Sequence, residues 1–352
     1  MPRKHGLSRH AVGRAGKIND EEMEGTIRRM FFRSRSRGMG MEIDDRWVRM
    51  VSLVAEGPVC RLEGFGETAV PAGAMENGRV IRPEMLAEVL HRLWLSLQTR
   101  ETRIVAAVDS RHVFVRNLML PVMKQRDVFR AARFHFLSVV PLPLEEAVIQ
   151  VSGIRPGRND ELEVTLVAVR QTRVQELTAA ITRAGLKPAA VEIRPLAARR
   201  VLGIDAAPQV LVDLGNEAVH LSYFDKGQLR FARPLFSGET TGLREVGAGE
   251  SPAADGPGWP QAHDLVAEIR RSLDYWSREC QHRLGLRKLV MTGTLAEDLP
   301  IAAGNNLWQA DVIWGSPWTS IKAPDYLTGQ ELRNLERRFV VALGLAAREI
   351  KK

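Results

Sequence analysis

Short apolar runs that stop at glycine or aspartate recur along this chain, and they predict buried strands that deliver polar corners. Val210, Leu211 and Val212 form one such run, ending at Asp213-Leu214-Gly215-Asn216. Ala218 to Phe224 then alternates branched and aromatic residues, Asp225-Lys226-Gly227 gives a turn, and Gln228 to Arg233 continues as a further strand. The stretch from Gly40 repeats the construction, with an apolar strand, a turn at Asp44-Asp45, a return strand from Trp47 to Val54 and a third strand from Cys60 to Gly66. Leu289-Val290-Met291 runs into Thr292-Gly293-Thr294 as a third corner. Helical spacing instead marks Pro83 to Gln98, where Met85, Leu86, Val89, Leu90, Leu93 and Leu97 share a face behind a proline start.

Residues 103–193 read as a separate unit. Strands are predicted at Arg103 to Val108, Val113 to Leu120, Ala147 to Ile154, Glu163 to Val169 and Ala190 to Ile193. A helix is predicted from Gln125 to Val140, with Phe129, Phe136 and Leu137 as core and Arg126, Arg130 and Arg133 mostly opposite. A second helix, Val174 to Ala184, closes on Gly185, and Pro195 to Val201 starts a short third one. Later, Gly238 to Pro260 is rich in glycine and proline and reads as a loop. Helices are expected from about Ala262 to Leu284, with Leu265, Ile269, Leu273 and Trp276 on one face, from Ile301 to Leu307, and from Leu335 to Glu349.

Charge changes this picture at one end only. The net charge is +8, yet residues 1–37 hold ten basic against four acidic residues, which leaves the body close to neutral. That tail reads as an unstructured basic extension, so specific nucleic-acid binding is not expected of the body. No run is long enough for a bilayer-spanning helix and no apolar signal core opens the chain, so a cytoplasmic protein is expected. Two distant cysteines, Cys60 and Cys280, offer neither a zinc spacing nor a disulfide framework.

Candidate chemistry is thin. A strand that delivers aspartate and glycine into a tight turn is one way to hold phosphate, because glycine admits close backbone N–H groups and the acid reaches a metal or its water. An ordinary hairpin reads the same way. His91, His112, His135, His220, His263 and His282 are scattered without an evident carboxylate or nucleophile partner, so no general base is named. His220 lies in the second hairpin, where its side chain need not face a cleft.

Three such corners spread over two halves of similar construction resemble the actin-like layout. More specific are LMLPVMKQRDVFRAARFHFLSVVPLPLEEAV (residues 118–148) and AAITRAGLKPAAVEIRPLAARRVL (179–202). With them stand VLVDLGNEAVHLSYFDKGQLRFARPL (210–235) and VVALGLAARE (340–349). Over roughly residues 38–350 the chain resembles the family of the type IV pilus assembly protein PilM, relatives of the division protein FtsA.

The resemblance implies an α/β, two-domain actin-like (ribonuclease H-like) ATPase fold with an inserted α+β subdomain. Its domains would be residues 38–206 with the insert at 103–193, then 207–334, then a C-terminal helix at 335–352 returning to the first domain. It implies a vestigial nucleotide site at Glu42, Asp44, Asp45, Asp213, Gly215, Asn216, Thr292 and Gly293. It also implies a groove at Phe114, Arg116, Arg126, Arg130 and Arg133 for the cytoplasmic N-terminal peptide of a PilN-type inner-membrane protein. Other pilus platform proteins are further partners, and membrane association is indirect.

Departures from the family pattern argue against hydrolysis. Asp44 stands where the first corner of the family has glycine, followed by Asp45, Arg46 and Trp47, and two carboxylates beside a triphosphate repel it. The third corner reads Thr292-Gly293-Thr294-Leu295 instead of a run of glycines. The expectation is a scaffold with no cofactor and no enzymatic activity. The alternatives are an ATP-binding switch, in which magnesium or Arg46 neutralises the aspartates, and an FtsA-like filament former.

Overall fold

The computed structural model describes residues 36–157, 159–215, 218–237, 262–279, 285–294 and 310–350. Expectations for the tail, Asn216, residues 238–260, Cys280, the side chain of Leu265 and the helix at 301–307 lie outside the described residues. Arg37, counted above with the tail, opens the first strand and pairs with Glu63.

The hairpin signals become two sheets of the same plan. In the first, β1 (Arg37–Ile43) pairs antiparallel with β2 (Trp47–Glu56), which pairs with β3 (Val59–Ala69). On the other side of β1 lie the parallel strands β6 (Arg103–Val108) and β10 (Lys187–Ile193). A short β16 (Ile321–Lys322) adds to the far edge beside β3, so the order is β10-β6-β1-β2-β3-β16. The second sheet has the order β13-β12-β11-β14-β15, again a three-strand meander followed by two parallel strands. It is built from β11 (Gln209–Leu214), β12 (Ala218–Asp225), β13 (Gln228–Ser237), β14 (Lys288–Thr292) and β15 (Asp311–Trp314). A small hairpin, β4 (Met75–Glu76) with β5 (Arg79–Val80), precedes the first helix.

Helices cover these sheets with the faces the spacing predicted. In α1 (Pro83–Ser96), Leu86, Val89, Leu90 and Leu93 are buried. It packs with α3 (Gln171–Arg183). α4 (Arg194–Val201) starts at the end of β10. In α5 (Ala262–Glu279), Ile269, Leu273 and Trp276 are buried against the second sheet.

The C-terminal helix differs from expectation. It is two helices, α6 (Gly329–Arg338) and α7 (Val340–Glu349), broken at Phe339. A Thr328–Glu331 capping box starts α6. The break turns the small residues of α7 onto β1 and α4. A Cβ on Gly40 would collide with the Ala342 carbonyl, and one on Gly344 with the Ala197 carbonyl. Such backbone-to-backbone approach has room only for glycine.

Residues 103–193 also need correction as a single separate unit. Strands β6 and β10 belong to the first sheet, and only the segment between them leaves it. That segment forms a three-stranded sheet, β7 (Val113–Pro121), β9 (Glu161–Arg170) and β8 (Ala147–Pro156), in the order β7-β9-β8. One face carries α2, which runs Gln125–Phe134 and not to Val140. A 3-10 turn, Phe136–Ser138, follows it and buries Phe136 while leaving Leu137 65% exposed. Pro141 and Pro143 keep the residues just before them, Val140 and Leu142, out of helical geometry.

Candidate functional site

Register brings the first two corners and their neighbours to one cleft. Glu42 lies opposite Arg49 across the β1–β2 pair. Asp213 is flanked by His220 on β12 and Thr292 on β14, so three adjacent strands present them in a row. Glu42, Asp44, Asp213, Gly215, Thr292 and Gly293 all line this cleft. Gly293 has φ +105°, and a Cβ there would strike the backbone of Leu214, which is why the third corner can lie directly on the second.

Arginines of the same chain occupy the cleft. Arg194, at the first turn of α4, donates from one guanidinium nitrogen to Glu42 and from the other to Asp213 at 2.7 Å. It thereby bridges the two sheets at their acidic corners. Burial opposes the Arg194 charge, but Glu42 and then Asp213 outweigh it and hold the guanidinium above its ordinary value. Burial raises the Glu42 carboxyl, and Arg194 and Arg49 only partly offset that. The remaining cavity is about 40 Å³. That is room for a few waters, against the ~300–1,000 Å³ common for small-molecule sites.

Asp44 and Asp45 have structural work of their own. Asp44 accepts from the backbone N–H groups of Arg46 at 2.8 Å and Trp47 at 2.7 Å, and pairs with Arg49 at 3.3 Å. Arg49 reaches Glu67 at the same distance. Asp45 accepts from the Gly78 N–H at 2.7 Å and from Arg111 at 2.9 Å, and it lies outside the cleft lining. Arg111 also clasps Asp109. Burial would raise the Asp109 carboxyl, but the hydrogen bonds and charge of Arg111 prevail and hold it at about 2. The two aspartates expected to repel phosphate are thus already paired, by Arg49 and Arg111.

Sequence reasoning missed Arg49, Asp109, Arg111 and Arg194 as cleft groups, and it left His220 undecided. The side chain of His220 does line the cleft, with Nδ1 buried and lacking a hydrogen-bond partner. Burial, then the charge of Arg194, pull its imidazole down to about 4. This gives a signed prediction. Below pH ~6.5 the unfolded chain takes up a proton that the native histidine refuses until about pH 4, so stability falls as pH drops through that window and levels off below it. The loss attributable to His220 is about 3 kcal/mol. The raised Glu42 carboxyl acts in the opposite direction, so the readout is the difference between wild type and His220→Gln in urea unfolding across this range. Equal pH slopes in the two proteins would refute it.

The five residues expected to form a peptide groove separate into three places. A second, far larger cavity of about 1,080 Å³ is lined by β7 and β13, each an edge strand among the described residues, and by Tyr275 and Trp276 of α5. Val115, Asn117 and Met119 line one side, and Phe231, Arg233 and Tyr275 the other. Arg116 belongs to this lining, tied to the Val139 carbonyl at 3.1 Å. Phe114 is half-buried against the core of the insert. Arg126, Arg130 and Arg133 stand exposed on α2, outside that lining. The expectation that Phe129 and Leu137 are core fails, since both are exposed.

At one end the two edges are joined. Asn117 donates to the Arg230 carbonyl at 2.9 Å. Fully buried Arg230 pairs with Glu163 and reaches Thr165 at 3.0 Å. Arg155 joins Glu163 to Asp225 at 2.6 Å each.

A family model described as type IV pilus assembly protein PilM matches residues 40–241. Among solved structures, a chain of the PilM-PilN type IV pilus biogenesis complex superposes with a TM-score of 0.73 at 20% identity, covering 91% of this chain and 100% of that one. The ethanolamine utilization protein EutJ from Carboxydothermus hydrogenoformans gives 0.44 at 12% identity, covering 93% and 98%. A Bacteroides thetaiotaomicron protein with actin-like ATPase fold and unknown function gives 0.42 at 13% identity, covering 80% and 93%.

Proposed function

The chain belongs to the family of the type IV pilus assembly protein PilM, and from that membership we propose that it is a non-catalytic scaffold gripping a short peptide of a PilN-type membrane protein. Its fold is shared with a chain of the PilM-PilN type IV pilus biogenesis complex, and we read it as the actin-like α/β fold. One observation carries the reading. The guanidinium of Arg194 spans Glu42 and Asp213, where a nucleotide and its magnesium would require open, unpaired acids. A tethered cation already bridges the pair, offsets part of its charge and leaves too little room for a triphosphate. The residues present do not fit ATP with magnesium.

The larger groove supports the partner half of the proposal. Both β7 and β13 are edge strands among the described residues, and an edge strand can pair with an extended chain while pockets beside it take alternate side chains. Among the described residues no helix is long and apolar enough to cross a membrane; in this proposal the partner is the membrane-spanning member of the pair. A cytoplasmic setting and contacts with other pilus platform proteins belong to the same proposal.

Isothermal titration of the full chain tests both halves. Mg-ATP is expected to give no binding in the micromolar range, and a PilN-type N-terminal peptide is expected to bind. Arg116→Glu should weaken peptide binding by ~tenfold through lost groove contacts, whereas Arg130→Glu on the outer helix should leave it unchanged. Micromolar Mg-ATP binding would instead support the nucleotide switch. A peptide that fails to bind at high micromolar concentration would defeat the scaffold.

A further inference from the structure

The surface of α2 is left without a task by the groove, and its composition is unusual for a solvated helix. Only Val128 and Ala132 of its ten residues are buried. At 100° per residue, Phe129, Arg133, Arg126, Arg130 and Phe134 follow one another around a roughly 140° outward arc. Phe134 is 84% exposed and Phe129 43%, with Val122 at 64% before the helix and Leu137 at 65% after it. The Arg133 guanidinium sits 5.8 Å from the Phe129 ring centre. Arg126 has only its neighbour Asp127 as an acidic partner, at 3.7 Å. Among the described residues Lys124, Arg130 and Arg133 have none. Four cations and one carboxylate thus stand on a body that is otherwise almost neutral.

We propose that this outward face of α2, with Val122 and Leu137 at its ends, docks directly on an anionic lipid surface. Isolated apolar residues on a surface are ordinary, but here four large exposed ones fall within sixteen residues among four cations. Guanidinium groups fit lipid phosphates, and aromatic rings between them settle at the level where headgroups meet acyl chains. Side chains exposed around the outside of a helix suit a flat partner, whereas an extended peptide suits the groove formed elsewhere by β7 and β13. This inference stands whether or not the groove binds a peptide.

Co-sedimentation of the full chain with lipid vesicles tests it. Binding is expected to vesicles containing phosphatidylglycerol, not to phosphatidylcholine alone, and to weaken as salt rises. The R126Q/R130Q/R133Q variant should lose on the order of a hundredfold in partitioning while keeping its melting temperature and its peptide binding. F134S/L137S should lose the fraction of binding that survives in high salt. No preference for anionic vesicles would overturn the proposal. So would a triple variant that sediments like wild type, which would point to the basic tail. Loss of peptide binding with vesicle binding intact would assign α2 to the protein partner instead.

Discussion

Replacing Arg194 by alanine is expected to lower stability by about 3 kcal/mol at neutral pH, because it strands two carboxylates in a cleft that excludes most water. The side chains of Glu42 and Asp213 are 4% and 11% exposed, so solvent cannot take over the role of the guanidinium. The deficit should shrink in acid, since Glu42 is already inclined to hold a proton and protonation relieves the repulsion. Arg194→Lys should fall between the two, as one ammonium reaches a single carboxylate where the planar fork reaches both. Magnesium separates charge from packing. Millimolar magnesium should restore part of the variant's melting temperature and leave wild type unmoved, because only the variant presents unpaired acids to bind it. Urea unfolding at neutral and acid pH, with and without magnesium, gives all three comparisons. A variant within ~0.5 kcal/mol of wild type would mean that the bridge does not hold the cleft.

Parts of this site were legible in the sequence and parts were not, for a physical reason. Apolar runs ending at Asp213 and Gly215, or at Thr292 and Gly293, announce strand ends, and strand ends in such sheets gather at one cleft. The twin meanders follow from turn chemistry at Asp44-Asp45 and Lys226-Gly227. What no local pattern shows is that Arg194, 152 residues after Glu42, lands between two acids from different sheets. An arginine after a strand reads as an ordinary helix start. The same holds for Arg111, whose partners Asp45 and Asp109 come from separate strand ends. Asp44 and Asp45 looked like an obstacle to phosphate because sequence gives charges without partners. The structure adds the partners and turns repulsion into internal pairing.

β9 carries a related lesson and the other large prediction. Glu161, Glu163 and Thr165 alternate with Leu162, Val164 and Leu166, the pattern of a half-exposed strand. Glu163 and Thr165 are nonetheless buried, because their face meets β13 at the joint with the second sheet. Glu163→Ala should cost about 3–5 kcal/mol, since it removes the carboxylate that pairs with the fully buried Arg230 guanidinium. Arg230→Met should cost less, about 1–2 kcal/mol, because Glu163 keeps Arg155 and methionine fills the volume without a charge to satisfy. The pair of changes together should cost less than their sum, a coupling that a double-mutant cycle in urea reads directly. Arg155 and Glu163 also line the large groove. Loosening this joint should therefore weaken peptide binding in Glu163→Ala more than in Arg230→Met. Additive energies would show that Glu163 and Arg230 stabilise the joint independently, and the groove would then owe its shape to backbone packing alone.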